Sequence, residues 1–385
     1  MRKAVILAGG TGKELAHITR GRPKTLLKVV GKPIIERVAE ALYKAGFREA
    51  VIITDKPREF DDVTVRLGRR MELEVRQHGD GGVRAALVEA APYLRRGYML
   101  VYGDTLMPPE AYDTVARSYE TWGRPVLMVV PEADVTEFGA VRVGKGYVVE
   151  SFDTAPVKPP PGTYAFGGVA YLSEELADAL AEGGDLGKAV TEYVWGGGTV
   201  RTALWSGWWV DIGHPINLLE AQYYVLREIH DSRISSSAEI APTAVIEGPV
   251  IIEDGAFIDH YAVIKGPAYI GTGATVGAHS LVRRYTGIGG GAVFGAYAEA
   301  VWSIIGERAT VGKGAFLGHS VIGDGAVVEA NVVTRTYVSD PEAAGIRAIA
   351  EHRRRRTYYK VGSSVGSGCR VRAGEVLDPG TKIEC

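Results

Sequence analysis

Leu7-Ala8-Gly9-Gly10-Thr11-Gly12 follows a short apolar run, Ala4 to Leu7, and leads into a basic stretch ending Arg22-Pro23-Lys24-Thr25-Leu26-Leu27. Glycines at a strand end let backbone N–H groups approach a phosphate closely. Phosphate binding is therefore the chemistry to look for. Two familiar forms of it are excluded. A Walker A loop needs Gly-Lys followed by Ser or Thr, and Gly12-Lys13 is followed by Glu14; a dinucleotide fingerprint needs a third glycine where Leu15 stands.

The elements that would position this loop follow from periodicity. Up to about residue 230, short apolar strands alternate with helices. Ala50 to Ile53, Tyr98 to Tyr102 and Val126 to Val130 read as strands; Ile34 to Lys44, closed by Gly46, and Val83 to Tyr93 have helical spacing. The alternation implies a mostly parallel sheet covered on both faces, with its ligands at the carboxyl ends of the strands. Beyond residue 230 an aliphatic or aromatic residue recurs every six positions, from Ile234 through Ile252, Ile270 and Ile288 to Phe294. The register resumes at Ile305, Val311 and Leu317, slips by one at Ile322, continues at Val328, and returns at Val365, Val371, Leu377 and Ile383. Six residues per step suits one flat face of a triangular coil, with small residues such as Gly271 and Gly277 at the turns. The chain thus divides into residues 1–230 and 231–385. A charged segment at about 340–360 interrupts the repeat and is expected to be helical.

Composition narrows the classes of function. The 385 residues are 46% hydrophobic and 23% charged, as in an ordinary globular protein. A net charge of −2 offers no global field for nucleic acid or an anionic membrane. The start, MRKAVILAGG, holds too few apolar residues for a signal-peptide core or a membrane span, and Cys369 and Cys385 are too few for a disulfide framework. These features predict a reducing, cytoplasmic setting. Only four amide side chains, Gln77, Asn217, Gln222 and Asn331, point to a hot environment.

The glycine-rich stretch, Pro23-Lys24, Leu26-Leu27, Gly31-Lys32-Pro33 and Ala45-Gly46 together resemble the signature of the sugar-phosphate nucleotidylyltransferases. Gln77, Gly82 and Ala85-Ala86 resemble that family's base-recognition segment. Tyr102-Gly103-Asp104 resembles its Gly-Asp at a strand end, and Trp209-Val210-Asp211-Ile212-Gly213-His214-Pro215 its W-x-D-I-G-T-P motif. The resemblance implies a Rossmann-like α/β nucleotidyltransferase domain followed by a left-handed parallel β-helix of hexapeptide repeats. It also implies attack by a sugar-1-phosphate oxygen on the α-phosphorus of a nucleoside triphosphate, UTP or dTTP by preference, with release of pyrophosphate. A phosphate monoester is already ionised at pH 7, so no Ser-His or Cys-His pair is required. On this reading Lys24 and Lys13 are catalytic, and Leu7, Ala8, Gly9, Gly10, Gly12, Gln77, Gly82 and Asp104 bind the nucleotide. Gly139, Glu150, Asp153, Lys158 and Gly168 bind the sugar phosphate, and Asp104 with Asp211 holds Mg²⁺. The flat-sided solenoid implies a homo-oligomer built on a trimer.

The sequence departs from the family at two places. Glu14 stands where the signature has arginine. About 5 Å from a phosphate, at an effective dielectric near 20, one charge is worth ~3 kcal/mol, so reversing its sign would cost ~6 kcal/mol, roughly four powers of ten in rate. Either Glu14 turns outward and Lys13 substitutes, or catalysis is impaired. Thr154 stands where the family's E-K-P lysine is expected, with Lys158 nearby, and Thr163 where an asparagine is expected. The alternative reading is a catalytically impaired subunit, regulatory or scaffolding, that binds nucleotide or NDP-sugar. In bifunctional relatives the acetylating histidine aligns with Lys313, and His319 is expected on the coil surface, so acetyl transfer is not expected. The run Arg353 to Arg356 is expected on a solvated helix face or at a subunit contact rather than on nucleic acid.

Overall fold

The alternating strands and helices form a single sheet in the computed structural model, which describes residues 1–131, 135–353 and 356–385. Its strands are β1 (Arg2–Leu7), β2 (Phe47–Thr54), β3 (Glu72–Gln77), β4 (Met99–Tyr102), β5 (Val126–Val130), β6 (Ala140–Val143), β7 (Val149–Asp153), β8 (Thr163–Tyr171) and β9 (Arg201–Leu204). They run in the order β7-β6-β8-β4-β1-β2-β3, with β5 pairing to β8 and β9. The half formed by β4, β1, β2 and β3 is parallel, and β8 runs antiparallel to its neighbours. Ala4, Val5 and Ile6 have no exposed surface, as expected of a parallel strand covered on both faces. The helix Ile34–Lys44 contributes Ile34, Ile35, Val38 and Leu42 to the interior. It ends where Gly46 adopts a positive φ of 93°.

The six-residue period forms a left-handed β-helix. The first coils close in eighteen residues, so that Ile252 pairs with Ile270 and Ile270 with Ile288 on one of three parallel sheets, and the next two close in seventeen, pairing Ile288 with Ile305 and Ile305 with Ile322. The repeated inward residues form one continuous core, from Val250 and Ile252 through Phe294 and Val328 to Leu377, with Ile240, Ile246 and Ile383 packed against its ends. At the turns the coils approach too closely for a side chain. A Cβ on Gly271 would lie 2.6 Å from the Gly290 nitrogen, and one on Gly277 would lie 2.7 Å from that of Ala296.

Contacts gather the described residues into two units that interleave in sequence: Met1–Thr11, Arg22–Leu27 and Pro33–Asp211 in the first, Gly12–Gly21, Lys28–Lys32 and Ile212–Cys385 in the second. This division differs from the sequence boundary at 230. The helix Pro215–Arg227 joins the solenoid because its buried Gln222 donates from Nε2 to the carbonyls of Tyr285, at 2.9 Å, and Ser303, at 3.0 Å.

Two expectations are corrected in the second unit, and one pairing is added. The 340–360 segment is chiefly a β-hairpin, Ile349–Arg353 with Arg356–Lys360, preceded by the single helical turn Pro341–Ala344. Tyr337–Val338 supplies a third strand, and Thr357-Tyr358-Tyr359 has the composition of a strand rather than a helix. His319 is buried, not on the coil surface. It stacks on Trp302, with Nε2 3.3 Å from Glu351 Oε1 of the hairpin. The cysteines are paired: Cys369 and Cys385 form a disulfide that ties the last residue to the coil above it. The arginine run is divided between the hairpin strands at Arg353 and Arg356, and residues 354–355 lie outside the described residues. Among the described residues, no helix is long and apolar enough to cross a membrane.

Candidate active site

The parallel half of the sheet brings four loop starts to one edge. Leu7 is in register with Ile53 and with Tyr102, and Thr54 with Gln77, so β1, β2, β3 and β4 present their carboxyl ends together. In such sheets ligands sit at this edge. The glycine turn after β1 is packed tightly. A Cβ on Gly9 would lie 2.5 Å from His78 Nε2, and Gly10, with φ 89°, needs the left-handed region. Gly103 donates its N–H to the Leu7 carbonyl at 2.8 Å, which fixes the start of the Asp104 loop against β1.

Lys24 is set on this turn from the backbone upward. Its N–H donates to the Gly10 carbonyl at 3.0 Å, and the buried Thr25 hydroxyl donates to the Ala8 carbonyl at 3.1 Å. The side chain then reaches Asp104, with Nζ 2.6 Å from Oδ2. Asp211 arrives from far along the sequence. The strands Thr105–Leu106 and Val210–Asp211 form a two-stranded antiparallel ribbon that places Asp211 opposite Thr105, whose hydroxyl donates to Asp211 Oδ1 at 3.2 Å.

The charges in this cluster are interdependent. Burial opposes ionisation of Lys24, but Asp104 and Asp211 outweigh it, so the ammonium holds its proton above the usual lysine range. Burial, followed by the nearby Asp104 charge, pushes the Asp211 carboxyl up to about 7, against the opposing pull of Lys24 and the Thr105 hydrogen bond. Two carboxylates crowded together and one ammonium make a site that a divalent cation and phosphate oxygens would complete. Mg²⁺ is commonly held by one or two carboxylates plus substrate phosphates. No group of three or more His, Cys, Asp and Glu suited to a metal occurs among the described residues, which leaves a two-carboxylate arrangement as the candidate.

The other expected site residues fall into distinct groups. Gln77 is exposed at the end of β3, and Gly82 opens the helix Gly82–Leu94 that follows. Gly168, with φ 78°, lies against the cluster: a Cβ there would be 3.1 Å from Thr105 Oγ1 and 3.3 Å from Tyr102 Cβ. Gly139 packs on Phe152, which leads to Asp153, whose Oδ1 accepts from the Ala155 N–H at 2.9 Å. Glu150 is engaged elsewhere, 2.8 Å from Arg142 Nε, and Lys158 is exposed. In the second unit, Lys13 and Glu14 lie in the short turn Lys13–Leu15, and Glu14 ion-pairs with Lys382. Sequence reasoning overlooked Thr25, Thr105 and His78. The first two adjoin motif residues, and only tertiary contact reveals what their hydroxyls hold.

Residues 3–228, more than half of the chain, match the nucleotidyl transferase family, and residues 249–284 match the bacterial transferase hexapeptide family of six repeats. The chain belongs to the nucleotidyl transferase family. The chain is 32% identical to the bifunctional protein GlmU of Methanococcus maripaludis strain C7, over 99% of its own length and 91% of that protein's. It is 25% identical to a bifunctional sugar-1-phosphate nucleotidylyltransferase/acetyltransferase of Sulfurisphaera tokodaii, over 66% of this chain and 63% of the other. In fold, the chain resembles a solved apo UDP-glucose pyrophosphorylase. The TM-score is 0.51 at 16% identity, with 59% of this chain and 99% of that chain covered.

Proposed function

We propose that this chain is a sugar-1-phosphate nucleotidylyltransferase that transfers a nucleoside monophosphate, from UTP or dTTP by preference, to a sugar-1-phosphate. A phosphate oxygen of the sugar bonds to the α-phosphorus, the bond from that phosphorus to the bridging oxygen breaks, and pyrophosphate leaves with the electron pair. The observation that carries this reading is Lys24 set between Asp104 and the glycine turn, with Asp211 brought alongside.

Each residue's part follows from its position. The turn Gly9–Gly10 offers backbone close to the triphosphate, and Gln77 at the neighbouring strand end offers a matched donor and acceptor to a pyrimidine edge. Lys24, freed from Asp104 when phosphate enters, neutralises the charge that accumulates on the leaving pyrophosphate. Asp104 and Asp211 would hold Mg²⁺, which when bound polarises the phosphoryl oxygens and offsets their charge. Of the two causes that raise the Asp211 carboxyl, burial first and then the charge of Asp104, the second supports this assignment, because a dication relieves it. Gly139, Asp153 and Gly168 border the place for the sugar phosphate. The solenoid is proposed to assemble the protein as a trimer or a multiple of trimers.

A second reading is favoured by Glu14. Its carboxylate is committed to Lys382, so no arginine reaches the phosphates from that position, and Thr154 leaves the sugar-phosphate lysine unreplaced. That reading is a nucleotide-binding subunit with little turnover. A pyrophosphate-release screen at elevated temperature, over the four NTPs plus dTTP and several sugar-1-phosphates, separates the two. Release that requires both substrates supports the enzyme; nucleotide binding in calorimetry without release supports the subunit.

A further inference from the structure

The residues after the glycine turn belong to the solenoid unit, and the last coil holds them at several points. Glu14 pairs with Lys382; the His17 ring nitrogen Nε2 lies 2.9 Å from the Ser364 hydroxyl. The Ser367 hydroxyl donates to the Ile18 carbonyl at 2.7 Å, and its N–H donates to the His17 carbonyl at 3.0 Å. Gly366 lies so close that a Cβ there would be 2.8 Å from the His17 carbonyl oxygen. The segment on the other side of Lys24 is held on the same solenoid, with Lys28 Nζ 2.5 Å from Glu307 and Gly31 packed on the Tyr269 ring. The short stretch 22–27, which carries Lys24, is therefore flanked in sequence by two segments anchored on the β-helix.

We propose that the last coil positions the nucleotide loop: Glu14 acts as a tether to Lys382, and Cys369–Cys385 closes the coil on which that tether depends. This inference rests on the transferase reading above and explains the sign of residue 14. A carboxylate that would oppose the triphosphate if it replaced the signature arginine in place is instead neutralised by a lysine 368 positions away. Glu14 and Lys382 are positioning residues. They act through the conformation of residues 12–21 and the placement of Lys24.

The test uses the full chain, as wild type, Lys382→Ala, Lys382→Arg, Cys385→Ser and the exchanged pair Glu14→Lys with Lys382→Glu. Hydrogen exchange of residues 12–21 and steady-state pyrophosphate release at varied nucleotide triphosphate are measured on each. An exposed ion pair is worth roughly a two- to fivefold change in an equilibrium constant. Lys382→Ala is expected to raise KM for the triphosphate by about that factor and to speed exchange of 12–21, with kcat held within about twofold. Cys385→Ser is expected to act in the same direction. Lys382→Arg and the exchanged pair are expected to restore both readouts. Unchanged exchange in Lys382→Ala, or an exchanged pair no better than Lys382→Ala, would overturn the tether. If the wild type releases no pyrophosphate, the transferase reading fails, and exchange together with calorimetric nucleotide Kd on the same variants still decides the tether.

Discussion

Lys24 and Asp104, eighty positions apart, meet at 2.6 Å where β1 and β4 end side by side, and Asp211 joins them through a ribbon of two residues per strand. On the proposed reading the pair is the resting state of a phosphate site, in which each partner satisfies the other until a triphosphate takes the ammonium and a dication takes the carboxylate.

Replacement of Lys24 by methionine keeps the bulk of the side chain and removes its charge. A group that stabilises charge developing in the transition state is worth roughly 10²–10³ in kcat. Lys24→Met is expected to lose about that much, with nucleotide binding weakened less. Comparison of kcat with calorimetric Kd checks the split.

Asp211 makes the metal-free fold sensitive to pH. Its carboxyl titrates at about 7 in the folded chain, pushed up by burial and then by Asp104, and near 4 when unfolded. The folded state therefore binds more protons between these values, and its stability falls as pH rises through that window. Thermal unfolding without Mg²⁺ from pH 4 to 8 is expected to show this slope in the wild type and a flatter one in Asp211→Asn. Added Mg²⁺ is expected to stabilise the wild type increasingly above neutrality, where the carboxylate is free to bind it.

Gly168 has a backbone that L-residues adopt at a cost of about 1–2 kcal/mol, and a Cβ there would press on Thr105, which holds Asp211. Gly168→Ala is expected to lower stability by about that amount. It is also expected to lower kcat/KM by ~10- to 100-fold, because a small displacement of a positioned group is costly. Denaturant unfolding and steady-state kinetics on one preparation measure both.

Glu351 anchors the hairpin to the solenoid. Its contact with His319, supported by Lys360, holds the carboxyl down at about 2 against burial. This stabilisation is present above the ordinary carboxylate pKa and is lost as pH falls from about 4.5 toward 2. Hydrogen exchange in residues 349–360 is expected to accelerate over that range. In Glu351→Gln it is expected to be fast already at pH 6.

Much of this architecture is readable from local pattern, and its failures have local causes. Helix Ile34–Lys44 and strand Val126–Val130 follow from apolar spacing, and the solenoid follows from its hexads because each inward residue repeats the same burial. The hairpin is obscured because Glu351-His352-Arg353 presents a run of charge without an apolar face, although Thr357-Tyr358-Tyr359 carries a strand signal. Once a coil is known to take seventeen or eighteen residues, the separation of sixteen positions brings Cys369 and Cys385 to adjacent coils; without the coil the pairing has no local sign. The candidate site is legible where it rests on the motif at Leu7 to Gly12, Lys24, Asp104 and Asp211. It is not legible where it rests on contacts such as Thr105 with Asp211, and neither is the ion pair of Glu14 with Lys382, because only the folded chain creates them.

The most direct test of the central claim follows the α-phosphorus itself. UTP or dTTP labelled at that phosphorus is incubated with Mg²⁺ and a panel of sugar-1-phosphates, using the wild type and Lys24→Met. The account predicts that label passes to an NDP-sugar in step with unlabelled pyrophosphate, and that the variant slows the transfer by about 10²–10³. Label that stays in the triphosphate with every sugar-1-phosphate, or transfer that is unaffected by Lys24→Met, would contradict it.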